Sequence, residues 1–86
     1  MDANKITNYI TSNLKYIRKK LNMSQNKFAE LLNVNQTTVA RWEDENRKPT
    51  IDKSIEISTI LNISLDVLTG VDFNKTNYDI NINKNN

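Results

Sequence analysis

Glycine and proline each occur once in this 86-residue chain, so the residues that most often interrupt regular structure are nearly absent. Punctuation must come from asparagine, serine and threonine, whose short polar side chains bond nearby backbone and favour caps and turns. Ile6, Ile10, Leu14, Ile17 and Leu21 recur at spacings of three and four, which predicts an amphipathic helix over roughly Thr7 to Leu21. Asn22 follows where a residue tolerant of left-handed backbone would end it. Ser24 is placed to cap "QNKFAELLN", with Phe28, Leu31 and Leu32 on one face and Asn33 as its stop. Asn35 caps the next segment, "QTTVARWEDE", only a few residues later. Thr50 caps "IDKSIEISTILN", where Ile51, Ile55, Ile57, Ile60 and Leu61 cover more than half the circumference. That distribution predicts a central, largely buried helix. Ser64 caps "LDVLT", with Asp66 in the first turn and Gly70 at the end. The expected class is all-α, a compact five-helix domain over residues 1–70.

Beyond Gly70 the composition changes. "VDFNKTNYDININKNN" is rich in asparagine and has no helical periodicity, as in a disordered tail. Tyr78, Ile80 and Ile82 alternate with Asp79, Asn81 and Asn83, a pattern that suits a short β-arm. A lone strand must pair with something, and a second copy of the chain is the nearest candidate. Residues 71–86 are therefore expected to be a disordered tail or a dimerisation arm.

Composition narrows the function classes. The chain has no cysteine and no histidine, which removes disulfides, thiolate metal sites, the commonest general base and the commonest metal ligand. No cofactor and no metal are expected, and the chain does not read as an enzyme. The start, Met1-Asp-Ala-Asn, lacks the basic and apolar regions of a signal peptide. The apolar-rich region "IEISTILNISLDVL" is broken by Glu56 and Asp66 and cannot span a membrane. A cytoplasmic location is the expectation. Net charge is only +2, but Lys15, Arg18, Lys19, Lys20, Lys27, Arg41, Arg47 and Lys48 all precede Pro49. Glu43, Asp44, Glu45, Asp52, Glu56, Asp66 and Asp72 all lie at or beyond position 43, so one surface suits a polyanion and another does not.

Two short helices joined by a tight turn, the second opening with polar residues, fit a DNA-reading helix-turn-helix. Residues 14–70 resemble the Cro/CI-type (XRE) helix-turn-helix family. The matching segments are "LKYIRKKLNMSQNKFAELLNV", "NQTTVARWEDENRKPT" and "LNISLDVLTG". The resemblance implies a lambda-repressor-like fold and double-stranded DNA as the partner.

Helical spacing sends Val39 and Trp42 one way and Gln36, Thr37, Ala40, Arg41 and Asp44 the other. Glutamine can pair bidentately with adenine, threonine can meet a thymine methyl, and arginine can fork onto guanine. Gln36, Thr37 and Arg41 are thus the expected base-contacting residues. The resemblance implies that Gln36 reads adenine and that Gln25 braces it or binds phosphate. The start of the second helix suits an anion, with Asn26 and Lys27 beside Gln25. Asn35 is a cap first and a phosphate contact second, Thr38 is a further phosphate contact, and Arg47 and Lys48 suit the groove's opposite wall. The resemblance also implies an architectural ion pair between Arg18 and Glu43. One departure is Glu45, which stands where the family usually has glycine; either it or Asn46 must adopt left-handed backbone.

The function expected is a sequence-specific transcription regulator, a repressor, binding a palindromic operator as a homodimer. The fifth helix and the tail would supply the pairing surface. The alternative is a protein-interaction module of the same fold, such as an antitoxin or antirepressor. No small-molecule ligand is evident.

Overall fold

The computed structural model describes residues 7–80, and helices occupy most of them. In chain order these are α1 (Ile10–Lys20), α2 (Gln25–Leu31), α3 (Gln36–Glu43), α4 (Ile51–Leu61), α5 (Leu65–Gly70) and α6 (Phe73–Thr76). Each expected cap is made. Ser24, Asn35, Thr50 and Ser64 accept bonds from the backbone N–H groups of Lys27, Thr38, Lys53 and Val67. These bonds satisfy donors that have no partner within the helix. For α1 the cap is Tyr9, whose side chain does not bond; Asn8 Oδ1 instead accepts from Ile10 N at 2.9 Å. The expected apolar position Ile6 lies outside the described residues.

The stops are equally regular. Asn22, Asn33, Glu45, Asn62 and Asn77 have φ of 56°, 60°, 60°, 56° and 51°. After each, the next N–H reaches back five residues: Met23 to Arg18, Val34 to Ala29, Asn46 to Arg41, Ile63 to Ser58 and Tyr78 to Phe73. These are left-handed C-terminal caps of the Schellman type. Asparagine tolerates that conformation; glutamate does so at a cost. Gly70, expected as a stop, has no positive φ and is simply the last residue of α5.

Ile10, Leu14 and Ile17 of α1, Phe28 and Ala29 of α2, and Val39 and Trp42 of α3 meet Ile57, Leu61 and Leu68 in one core. The expectation for α4 needs correcting. Ile57 and Leu61 are buried and Ile60 half-buried, but Ile51 and Ile55 remain 69% and 50% exposed. Residues at i and i+4 share a face, and on α4 this face points to solvent.

A second correction concerns the chain after Gly70. Residues Phe73–Thr76 form a sixth helix, capped by Asp72 and stopped at Asn77. Phe73 is fully buried, edge-on to Tyr16 at 5.9 Å and stacked on Tyr78 at 4.2 Å. The buried Asn13 ties this segment to α1. Its Nδ2 donates to Leu68 O and Val71 O, both at 2.7 Å, and its Oδ1 accepts from Phe73 N at 3.0 Å. Tyr16 Oη donates to Tyr78 O at 2.9 Å. Within the expected β-arm, Tyr78, Asp79 and Ile80 are irregular rather than extended into a strand, and 81–86 lie outside the described residues. Among the described residues no helix is long and apolar enough to cross a membrane.

Candidate nucleic-acid interface

The turn between α2 and α3 spans Leu32 to Asn35. It is tight because Asn33 reverses the chain in the left-handed region and Asn35 immediately starts the next helix. Leu32, fully buried, anchors the turn from below. On α3, Val39 and Trp42 are 1% and 3% exposed, which fixes the helix's rotation about its axis. Gln36, Thr37 and Arg41 consequently stand exposed on the other side. Neither Thr37 nor Arg41 makes a side-chain bond among the described residues, so both present free polar groups.

Gln36 is held. Its Nε2 donates to Gln25 Oε1 at 2.6 Å, and Gln25 Nε2 donates to Glu43 Oε1 at 3.1 Å. Arg18 completes the chain, with Nε donating to Glu43 Oε2 at 2.6 Å and Nη2 to Glu43 Oε1 at 3.0 Å. The third nitrogen, Nη1, donates to Met23 O at 2.9 Å, just before α2 begins. One guanidinium therefore joins α1, the α1–α2 turn and the end of α3. The side chain of Glu43 is only 5% exposed. Burial works against its charge, but bonds from Arg18 and Gln25 and the positive charges of Arg18 and Lys15 outweigh it. The carboxyl is held below its ordinary range.

The remaining expected residues surround this helix unevenly. Asn26 and Lys27 are exposed in the first turn of α2. Lys27 lies 3.8 Å from Glu30, a loose and solvated pairing that contributes little. Asn35 Oδ1 accepts from both the N–H and the hydroxyl of Thr38, at 2.9 and 2.8 Å. The Thr38 proton is thus turned into the cap, while the Asn35 amide nitrogen stays available as a donor. Arg47 and Lys48 are exposed and share a shallow hollow with Thr38, Trp42 and Pro49. The basic loop therefore adjoins α3 although Glu45 occupies the left-handed position. Nothing in the sequence points to the tie from Gln25 to Glu43; the two residues are 18 apart, and no local pattern links them.

A family model described as Helix-turn-helix matches residues 14–68. The HTH-type transcriptional regulator ImmR of Bacillus subtilis is 34% identical over 59 residues, covering 69% of this chain. The match takes in 46% of ImmR, so the chain spans about half that relative's length. Among solved structures, a transcriptional regulator from Listeria innocua superposes with a TM-score of 0.68 at 30% identity, over 93% of this chain and 68% of the other. The P22 c2 repressor, solved in complex with a synthetic operator, superposes with a TM-score of 0.60 over 69% of this chain and 89% of its own; at 24% identity it speaks for the fold alone. Two helices about a left-handed asparagine, an exposed polar face on α3 and a match over residues 14–68 place the chain in the XRE-type helix-turn-helix family of DNA-binding transcription regulators.

Proposed function

We propose that this domain binds double-stranded DNA sequence-specifically, with α3 in the major groove, as a homodimer on a palindromic operator, and that it represses transcription there. The observation that carries the reading is the exposed face of Gln36, Thr37 and Arg41, opposite the buried Val39 and Trp42. Gln36, fixed by Gln25, has one Nε2 hydrogen and Oε1 left to offer, the pair that adenine's N7 and N6 require. Thr37 suits a thymine methyl, and Arg41 suits guanine.

Phosphate contacts would come from Gln25, Asn26 and Lys27 on one side and from Arg47 and Lys48 on the other. Asn35 offers its free amide nitrogen; Thr38 would have to release its hydroxyl from the cap. One helix reads few base pairs, so two copies on half-sites about one helical turn apart provide the required specificity. The fifth helix and the tail, expected to offer the pairing surface, place Leu68 and Phe73 in the core. Among the described residues, Ile51 and Ile55 on α4 are the exposed large hydrophobics, and they support pairing instead.

Selection of bound sequences from a random duplex pool tests this reading. A two-fold symmetric motif is expected, with affinity falling steeply as salt rises. Absence of any enriched motif, with function intact when Gln36, Thr37 and Arg41 are all alanine, would favour the protein-interaction module.

A further inference from the structure

The bonds linking Arg18, Glu43, Gln25 and Gln36 have a direction. An ionised carboxylate has no hydrogen to give, whereas an amide can present either its nitrogen or its oxygen. Glu43 accepts, so Gln25 must turn Nε2 toward it, at 3.1 Å. That leaves Gln25 Oε1 facing α3, where Gln36 answers with Nε2 at 2.6 Å. Two amides in series are thus oriented by one charge. Arg18 holds that charge in place with two bonds of its own.

The order in which Gln36 presents donor and acceptor to the groove follows from this. In one order the amide meets adenine's N7 with N–H and its N6 with oxygen; reversed, it sets N–H against N6–H. Resting on the reading of Gln36 as a base-contacting residue, we propose that Glu43, acting through Gln25, fixes the amide orientation of Gln36 and so determines its base preference. Glu43 is then a positioning residue for specificity as well as half of an ion pair. Without its charge the two amide orientations become nearly equivalent, and Gln36 accepts more than one base.

The test compares duplex-pool selections for the wild-type domain, Gln36→Ala, Glu43→Gln and Gln25→Met, each first melted to confirm folding at the binding temperature. The amide introduced by Glu43→Gln keeps the shape of the carboxylate and still accepts from Arg18, but it can face Gln25 with either atom. Gln25→Met breaks the relay, removing one bond to Glu43 but leaving both residues of the ion pair and the two bonds between them in place. The wild type is expected to prefer adenine at one position per half-site by roughly tenfold. In both relay variants that preference should fall to about threefold or less, while the other positions keep theirs.

Any phosphate bond that Gln25 makes stabilises all sequences alike, so the preference at that position, not the affinity, is the readout. An adenine preference that survives in both relay variants but vanishes in Gln36→Ala would overturn the proposal and leave Glu43 purely structural. If Gln36→Ala changes no position, the reading of Gln36 itself fails, and the relay with it. Should Glu43→Gln not fold, Gln25→Met decides alone.

Discussion

Two residues carry energetic consequences out of proportion to their size. Glu45 sits at φ 60° because the end of α3 needs a left-handed residue there, and Asn46, with no positive φ, does not supply it. Left-handed backbone costs an L-residue roughly 1–2 kcal/mol, while glycine's freer unfolded chain gives back about 0.4–1 kcal/mol. Glu45→Gly should therefore stabilise the domain by about 0.5–1 kcal/mol, read as a thermal midpoint a few degrees higher; a lower midpoint would contradict it. Asn13 shows the opposite case. Its replacement by leucine would strand two carbonyls and one N–H between α1, α5 and α6. At roughly 1–3 kcal/mol per buried orphan, the loss should be at least ~3 kcal/mol, measured as a lower urea midpoint. The glycine substitute at 45 was visible in the sequence as an exception to a pattern. Asn13 was not, because its partners lie 55 to 60 residues further on.

Glu43 adds a pH dependence at this same scale. Its folded pKa is depressed, so the stability it contributes is present above the unfolded carboxyl's value of about 4.3 and is lost as pH falls through the lower folded one. Melting curves taken from pH 7 down to pH 3 should show a decline that is shallower in Glu43→Gln. Glu56 is also shifted down, by its bonds to Lys53 and Asn33. It is solvated, so Glu56→Gln should leave the decline nearly unchanged.

At the scale of helices, capping residues were the most legible signal. Ser24, Asn35, Thr50 and Ser64 each do what their chemistry predicts, because a cap depends on neighbours within three residues. What the sequence showed less well depends on distant partners. On α4, five apolar positions suggested burial on most sides, yet the neighbouring helices cover only the face of Ile57 and Leu61. A four-residue helix such as α6 is too short to show a period. Its sequence trace was the same punctuation seen earlier: Asp72 before Phe73 and an asparagine after Thr76. Phe73→Ala should cost about 3–5 kcal/mol, a loss that a disordered tail would not produce. Conversely, Gly70 ends α5 with open space around it and no positive φ. Gly70→Ala should raise stability by about 0.5–1 kcal/mol.

For the molecule as a whole, the exposed polar face of α3 was legible because helical spacing alone separates Gln36, Thr37 and Arg41 from Val39 and Trp42. The support behind it was half legible, since the resemblance implied Arg18 with Glu43 but nothing local implied Gln25 with Glu43. The pairing of two copies proposed above would rest on surface, and the exposed isoleucines of α4 are where that proposal can be tested. Ile55→Glu should shift sedimentation toward the single-chain species and weaken operator binding at low protein concentration, leaving the melting temperature of dilute protein within a few degrees. Arg47→Ala should lower affinity for all sequences and reduce the salt slope by about one unit.

Trp42, the chain's one tryptophan, sits almost wholly out of water on the inner side of α3. The domain thus carries its own optical probe at the back of the helix proposed to read DNA. Its emission should be blue-shifted in the folded protein and move to longer wavelength on unfolding. Coincidence of that transition with loss of helical circular dichroism would show that α3 and the remaining helices unfold as one cooperative unit.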